Sequence, residues 1–546
     1  MDEPSPLDWP SLEWTADGQP RSRLYGDVYF SAEDGLAETR AVFLEGCGLP
    51  DAWAGRSRFV VAELGFGAAL NVAALIELWS RTRPPDGRLH IFSVEAHPIT
   101  AHEAARALAH WPELAAIAAR LIAQWPGRAP GPHRLELADL GVILDVAIGE
   151  AGEALAGWSG MADAWFLDGF APARNPAMWR DELLALVAAR SAPSARAATF
   201  TVAGQVRRGL AAAGFAVEKA PGFGRKRERL VAHLPGAAPD PAPVRRVAPP
   251  RVAIVGAGVA GAAAARAVAA LGASPILFDA EGAGAGASGN PAALVTPRLD
   301  AGLGAPARLF AQAYRRALAL YEAHPAAILS RRALQVAIQP RDAARFAKVA
   351  ASGLFEPGTL QRLDADAAAG ELGEPAAEAL ALTEALVIAP SAALAPWTPP
   401  IVQARVGRIA RCGAGWRLLD ANGGVLCEAE VVIVAAGLSS ADLVAGLPLS
   451  AVRGQASWVA AFDGPVPPAA AFGGYVLPMG KKGGDKGGGE GLLFGATHDR
   501  GDSGCDLRVS DHQRNLATLA EGLPALAGRL AGRPLEGRAS IRAATP

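Results

Sequence analysis

The sequence predicts an α/β fold made of two different Rossmann-like domains in tandem, and three observations lead there. Two separate passages read as strand, glycine turn, helix and strand, one starting near Phe59 and the other near Val252. A proline-rich stretch, Pro235–Pro250 (PGAAPDPAPVRRVAPP), lies between them and reads as a semi-rigid linker, because proline removes backbone donors and holds the chain extended. At roughly 100–200 residues per domain, the length of 546 residues calls for more than one. The expected division is 1–234, linker 235–250, and 251–546.

In the first half, FVVAEL (Phe59–Leu64) has the continuous apolar run of a buried parallel strand. GFG (Gly65–Gly67) makes the turn and Ala68–Trp79 the following helix. LHIFSVE ends a second strand at Glu95; Val142–Ile148 ends just before Glu150, Ala164–Leu167 at Asp168, and Ala197–Val202 is the fifth strand. After the helix GQVRRGLAAAG, FAVEKA and RLVAHL form an antiparallel pair that closes the sheet. This is the element order of a seven-stranded class I methyltransferase fold.

In the second half, Gly256, Gly258 and Gly261 stand in G-x-G-x-x-G spacing between a strand and a helix, with Asp279 at the end of the next strand. The first glycine makes the tight turn, the second admits a pyrophosphate to the backbone, and the third lets helix and strand pack closely. The bland alternative is a structural glycine turn. Ala429–Ser440 (AEVVIVAAGLSS) reads as a second buried strand entering a turn at Gly437, which favours FAD over NAD. Asn422-Gly423 marks a hairpin before it. Alanine-rich helices, then strands after Pro448, make an inserted α+β substrate domain, and GKKGGDKGGGEG (Gly480–Gly491) is a low-complexity loop.

Composition removes several classes of function. Hydrophobic residues make up 51% and charged residues 19%, which suits large cores and not a disordered chain. The 52 Lys+Arg nearly balance 54 Asp+Glu, so a uniformly basic nucleic-acid binder is excluded but a local basic patch is not, and the excess of Arg over Lys reads as GC-rich codon usage. Four cysteines without a C-x-x-C pair argue against a disulfide framework or zinc site and fit a reducing cytoplasm. There is no H-E-x-x-H, no G-x-S-x-G, no secretory signal at the acidic start, and no apolar run long enough to span a bilayer, so neither metal, membrane nor DNA is expected as a partner.

Three features carry alternatives. Gly65 and Gly67 with Glu95 one strand over suit the amino-acid part and the ribose hydroxyls of S-adenosylmethionine, or are a plain turn. Asp168, at a strand's carboxyl end where open α/β sheets bind ligands, either caps a turn or orients and deprotonates a substrate amine. Between Ala203 and Leu234, Arg207, Arg208, Lys219, Arg225, Lys226, Arg227 and Arg229 face only Glu218 and Glu228. Such a cluster suits RNA phosphates or is a solvated face.

Longer strings add a resemblance. Asp27–Ser31 (DVYFS), Glu63 with Gly65-Phe-Gly67 and Asn71, Leu167–Trp179 (LDGFAPARNPAMW), Gly222–Glu228 (GFGRKRE), Gly284–Asn290 (GAGASGN), Arg453-Gly-Gln455 and Gly495-Ala-Thr497 together closely resemble the MnmC family of bifunctional tRNA-modifying proteins, over nearly the whole chain. The resemblance implies an N-terminal methyltransferase and a C-terminal FAD domain of the glycine/D-amino-acid oxidase type. It further implies two reactions on the tRNA wobble uridine: oxidative removal of the carboxymethyl group from 5-carboxymethylaminomethyluridine, then methylation of the exposed amine. By resemblance, Glu63, Gly65, Gly67 and Glu95 hold S-adenosylmethionine, with Glu150 near its adenine. Gly256, Gly258, Gly261, Asp279, Ser288, Gly289, Asn290 and Gly437 hold FAD, Asp168 serves the amine, and Arg207, Arg208, Arg225, Lys226 and Arg227 meet tRNA.

Two departures accompany the likeness. The family loop GFGTGLN is GFGAALN here, so Ala68 and Ala69 are expected to crowd the methionine moiety, and the resemblance implies a further stretch completing the FAD domain after Pro546. A small-molecule amine oxidase fused to a methyltransferase, or a methyltransferase with an inactive FAD domain, are the competing readings.

Overall fold

The computed structural model of the protein describes residues 12–30, 34–224, 227–236, 249–481 and 490–545. Most of the 235–250 stretch, Arg225 and Lys226, and the centre of the Gly480–Gly491 segment lie outside the described residues. The chain divides into two compact units. One comprises Met1–Val247 with Gly304–Arg316 and Ser352–Glu356, the other Ala248–Leu303 with Ala317–Ala351 and Pro357–Pro546.

The first unit is built on a sheet of eight strands, one more than the sequence suggests. From edge to edge they run Gly131–Leu137, Val142–Ile148, Arg88–Glu95, Arg58–Leu64, Ala162–Leu167, Ser191–Thr199, Glu228–His233 and Ala216–Pro221. The five from Val142–Ile148 to Ser191–Thr199 are mutually parallel. Glu228–His233 runs antiparallel to Ser191–Thr199, and Ala216–Pro221 runs antiparallel to Glu228–His233, as expected of the closing pair. The additional strand, GPHRLEL, is antiparallel to Val142–Ile148 and buries only His133, Leu135 and Leu137. Its Gly-Pro start and outward Arg134 and Glu136 are the marks of an edge strand, and they hide its period of two.

From Phe59 onward the strand Arg58–Leu64 is buried, because neighbours pair with both its edges and apolar layers cover both faces. Phe59 and Val61 join one core, with Trp53, Trp79 and Phe166, whereas Ala62 and Leu64 join the opposite one, with Trp165 and Leu184. The helix that follows begins at Leu70, not Ala68. Ala69 stands in the left-handed region (φ 62°), so helical geometry cannot start before it. Its methyl is fully buried, and that burial offsets part of the roughly 1–2 kcal/mol which a left-handed non-glycine residue costs. The chain moves outward from Arg58–Leu64 through Arg88–Glu95 and Val142–Ile148, then returns to the other side at Ala162–Leu167. The reversal opens a crevice at the carboxyl ends of these strands.

The second unit contains a parallel sheet in the order Ile401–Val402, Pro275–Phe278, Val252–Val255, Val431–Val434, with the helix Val259–Ala270 packed on it. Val431–Val434, expected to be buried, is the sheet's edge: it pairs on one side only, and Val431 is 41% exposed. The hairpin expected at Asn422-Gly423 is present within a three-stranded meander, Arg408–Cys412, Gly415–Leu419 and Val425–Ala429. Asp420 Oδ1 accepts from the Asn422 and Gly424 amides there, each at 2.8 Å.

A ten-stranded sheet completes this unit and includes Ile328–Val336 and Ala379–Ile388, in a region whose alanine content reads as helix. Ala379–Ile388 (ALALTEALVI) is almost wholly buried between paired neighbours, and this pairing overrides its helical propensity. On Ser450–Phe462, three alternate residues point polar groups into the interior. The fully buried Arg453 donates through Nη1 to Asp511 and through Nη2 to the Asp506 carbonyl at 2.6 Å. Gln455 Nε2 donates to the Arg508 carbonyl (2.9 Å), and Asn515 Nδ2 donates to Ser457 Oγ (2.9 Å). These bonds tie the segment 499–508 and the helix Val509–Gly522 to the sheet.

Removing one partner of a buried ion pair typically costs about 3–5 kcal/mol, because the other charge is left uncompensated. Arg453→Ala is therefore expected to destabilise the protein by at least about 3 kcal/mol in denaturant unfolding. A loss below about 1 kcal/mol would mean that Arg514, whose Nη1 already donates to Asp511 Oδ1 at 3.1 Å, compensates that charge by itself.

Candidate functional site

A cavity of about 440 Å³ opens at the crevice of the first unit, within the ordinary range for small-molecule sites. Gly65, Gly67, Asn71, Glu95, Gly149 and Asp168 line it, with Tyr25, Tyr29 and Phe170 as an aromatic wall. Gly65 has φ +100°, and a Cβ there would stand 1.9 Å from the Asp168 carbonyl oxygen, so only glycine lets these two strand ends meet. The Gly67 amide donates to Glu95 Oε2 (2.9 Å) and the His97 amide to Glu95 Oε1 (2.8 Å), which fixes this carboxylate at the cavity wall. Phe170 packs 4.8 Å from Tyr25 and 5.3 Å from Tyr29, ring centre to ring centre.

Asp168 and Glu95 both line the cavity, at the ends of the strands that flank Arg58–Leu64, and Asp168 accepts from Asn71 Nδ2 at 2.6 Å. Glu63 does not reach the cavity surface. It is buried behind Asn71, accepting from Asn71 Nδ2 (3.1 Å) and Ser93 Oγ (2.5 Å), and burial pushes its carboxyl up to about 8. Glu150 is exposed and not part of the lining. Its carboxylate accepts from the Glu153 amide (2.8 Å), capping the helix Ala151–Gly157, and from Arg180 Nη2 (2.6 Å), while its neighbours Gly149 and Ala151 line the cavity. Arg207 and Arg208 are exposed on the helix Gly204–Ala212, and Arg227 is exposed at the start of the last hairpin strand. Two other members of the basic stretch have structural partners: Lys219 pairs with Glu228 at 2.7 Å, and Arg229 donates to the Ala41 carbonyl.

The cavity residues fit S-adenosylmethionine. A glycine turn leaves room for its amino-acid part, a carboxylate ends the adjacent strand, and carboxylate and aromatic groups suit a sulfonium.

In the second unit each glycine of the G-x-G-x-x-G motif has its own contact. A Cβ on Gly256 (φ +105°) would lie 2.3 Å from the Ala435 carbonyl oxygen, one on Gly258 3.1 Å from Ser288 Oγ, and one on Gly261 1.7 Å from the Gly256 carbonyl oxygen. Asp279 holds the turn: Oδ2 accepts from the Ala257 amide (2.8 Å), and Oδ1 from the Glu281 and Gly282 amides (2.9 and 3.0 Å). These three donors take most of the carboxylate's acceptor capacity. Ser288 Oγ accepts from the Val259 amide at the helix start (2.9 Å). A Cβ on Gly289 would come within 2.8 Å of Arg538, whose Nη1 donates to the Gly286 carbonyl at 2.8 Å; Asn290 is half-buried beside it. Gly437 (φ +56°) turns the chain after Val431–Val434 with open space where a Cβ would be. A cradle that side chains would fill, at a helix N-terminus, fits the pyrophosphate of FAD.

Sequence reasoning assigned no role to Thr39, Tyr25, Tyr29, Phe170 or Arg538. Asn71, on the first turn after the glycine loop, was legible as part of a motif but not as a partner of Asp168. Among the described residues no helix is long and apolar enough to cross a membrane, and no cluster of three or more His, Cys, Asp or Glu could hold a metal ion.

Comparison with known proteins agrees with the two cofactor classes. Residues 112–235 match the family model "S-adenosyl-L-methionine-dependent methyltransferase", and residues 251–546 match "FAD dependent oxidoreductase". The chain is 58% identical over 545 residues to the tRNA 5-methylaminomethyl-2-thiouridine biosynthesis bifunctional protein MnmC of Caulobacter vibrioides, covering 100% of this chain and 88% of that protein. The protein of the same name from Maricaulis maris is 42% identical, over 98% of this chain and 86% of its own. Among solved structures, glycine oxidase from Geobacillus kaustophilus is 24% identical with a TM-score of 0.44, covering 54% of this chain and 84% of that one. The protein is thus an enzyme that joins an S-adenosylmethionine-dependent methyltransferase to an FAD-dependent oxidoreductase. The chain belongs to the MnmC family.

The buried carboxyl has a measurable consequence. Glu63 has an ordinary value of 4.5 and about 8 in the fold, so between these limits the folded protein holds a proton that the unfolded chain has lost. The stability it contributes is complete below about pH 4.5 and is lost as pH rises towards 8. Glu63→Gln is expected to gain thermal stability relative to the parent between about pH 5 and about pH 8. A melting difference that does not change with pH would show Glu63 to be ionised throughout.

Proposed function

We propose that the protein carries out two successive steps on the wobble uridine of tRNA. The FAD unit removes the carboxymethyl group from 5-carboxymethylaminomethyluridine, 2-thiolated or not, to leave 5-aminomethyluridine. The methyltransferase unit then converts that amine to 5-methylaminomethyluridine, so the order of reactions is the reverse of the order along the chain. The observation that carries the reading is the placement of Asp168 in one cavity with Gly65, Gly67 and Glu95. An acceptor carboxylate beside the glycine turn is what methylation of an amine requires.

When bound, S-adenosylmethionine supplies an electrophilic methyl group and FAD a two-electron oxidant for a C–N bond. The chain's own residues do the rest. Gly65 and Gly67 leave room at the turn, and Glu95, anchored by two amides, accepts from ribose hydroxyls. The substrate amine arrives as an ammonium, which has no lone pair to attack with; Asp168 accepts its proton, the N–C bond forms, and the S–C bond breaks in line with it. Holding nitrogen and methyl in that line supplies about 7–11 kcal/mol of the barrier. Tyr25, Tyr29 and Phe170 screen the site from water. In the second unit, Gly256, Gly258 and Gly261 with the Val259–Ala270 helix start receive the pyrophosphate, Asp279 and Ser288 hold the turn, and Gly289, Asn290 and Gly437 border it.

The exposed Arg207, Arg208 and Arg227, with Arg225 and Lys226, supply phosphate contacts to the tRNA. Their contribution should weaken with salt. The boundaries 1–234 and 251–546 delimit the two catalytic parts, and the place of work is the cytoplasm, where tRNA is modified.

The test is to incubate the full chain, FAD and S-adenosylmethionine with tRNA carrying 5-carboxymethylaminomethyluridine and analyse its nucleosides by mass spectrometry. The methylaminomethyl nucleoside is the expected product. Turnover of free amines without turnover of tRNA would overturn the tRNA assignment, and methylation of aminomethyl-tRNA alone would remove the oxidative step. In the same assay Asp168→Asn should lower methylation at least about 100-fold and let the aminomethyl nucleoside accumulate, in keeping with loss of a general base. Undiminished methylation by this variant would take Asp168 out of the mechanism.

A further inference from the structure

Side chains from three other segments, those of Thr39, Glu63 and Asp168, meet at the side chain of Asn71. It stands on the first turn of the helix Leu70–Thr82 and is 5% exposed. Its Nδ2 donates to Asp168 Oδ2 at 2.6 Å and to Glu63 Oε1 at 3.1 Å. Its Oδ1 accepts from Thr39 Oγ1 at 2.7 Å, and Thr39, at the end of the helix Gly35–Thr39, is itself buried. An asparagine near a helix start commonly serves the backbone. Here these three bonds all go to side chains, each from a different element.

The geometry allows one orientation of the amide. An ionised carboxylate accepts and does not donate, so Nδ2 must face Asp168, the proposed base; the flipped amide would set its oxygen against that acceptor. The Thr39 hydroxyl, which can donate or accept, donates to the amide oxygen in this orientation. Glu63 is anchored in turn by Ser93 Oγ at 2.5 Å. The chain Thr39–Asn71–Asp168 therefore has a fixed donor direction, with Glu63 and Ser93 as its buttress.

We infer that Asn71 is a positioning residue for methyl transfer: held by Thr39 and Glu63, its amide fixes Asp168 Oδ2 and so sets the plane of the carboxylate that receives the substrate proton. The inference rests on the role proposed above for Asp168. A hydrogen bond to a carboxylate favours its ionised form, so Asn71 also keeps Asp168 ready to accept. Burial holds Glu63 up at about 8, so near neutral pH the buttress adds little negative charge of its own to oppose that ionisation. The other titratable groups on the cavity wall are Asp27, Glu38, Glu95, His97, Tyr25 and Tyr29.

The full-length protein with bound FAD, aminomethyl-tRNA and S-adenosylmethionine provides the test, using Asn71→Leu, Thr39→Val and Thr39→Ser. Asn71→Leu should lower kcat for methylation about 10- to 100-fold, the size of effect expected when a general base is misplaced. S-adenosylmethionine affinity by calorimetry and KM for tRNA should change less than about 3-fold, and oxidation of carboxymethylaminomethyl-tRNA should persist, which also certifies folding. The acidic limb of the kcat profile should move to higher pH, because Asp168 loses a bond that favours its charged form. Thr39→Val should shift rate and pH limb in the same direction by less, and Thr39→Ser, which keeps the hydroxyl, should recover most of the rate. An unchanged kcat in Asn71→Leu, a loss residing wholly in cofactor affinity, or a Thr39→Ser as impaired as Thr39→Val would each overturn the inference. Asp168→Asn separates the two levels: if it is inactive while Asn71→Leu is normal, only the positioning role fails, whereas full activity of Asp168→Asn removes the base itself.

Discussion

One constraint recurs in both units: the first strand of each parallel sheet ends in a glycine that packs, without a side chain, on the carbonyl of the residue following the neighbouring strand. Gly65 does so on Asp168, where a Cβ would be 1.9 Å from the oxygen, and Gly256 on Ala435, where it would be 2.3 Å away. Both glycines have φ near +100°, which the sterics of a Cβ make costly for any other residue. This contact brings two adjacent strand ends close enough to share a site. In the first unit it delivers Asp168 to the cavity that holds Gly67 and Glu95; in the second it delivers the turn at Gly437 to the dinucleotide cradle. The cofactor turn and the neighbouring strand end are thus positioned together by backbone packing.

Around the first of these contacts the protein sorts two carboxyl groups by environment. Glu63 and Asp168 both bond the same Asn71 amide, yet Glu63 is 1% exposed whereas Asp168 borders a cavity. Desolvation penalises the charged form of Glu63, so the deeper of the two groups keeps its proton at neutral pH. Two carboxylates ionised side by side would repel, and burial of one removes that conflict.

The parts of the sites that fall in a short glycine motif or at a strand's carboxyl end were legible from the amino acids alone. Gly256, Gly258 and Gly261 fall within six residues and have reasons that follow from helix and strand geometry, and Gly65, Gly67, Glu95 and Asp168 each mark a strand's carboxyl end. The Thr39–Asn71–Asp168 chain was not legible, because it joins residues 32 and 97 positions apart and depends on side-chain direction. Strands were lost where local signals opposed tertiary pairing. Gly131–Leu137 looks like a loop because it is polar on its outer side, and Ala379–Ile388 looks like a helix because alanine and leucine favour one. Glu150 shows the converse, a carboxylate whose position suggests a ligand but which caps a helix and pairs with Arg180.

The three amide bonds accepted by Asp279, with the one accepted by Ser288, mean that the dinucleotide turn already has its shape from the protein's own donors and acceptors. Such a receptor is preorganised: little conformational entropy remains to be lost when a ligand enters, so more of the contact free energy appears as affinity. Loading can then follow folding as a separate event, with its rate set by encounter and not by assembly of the loop.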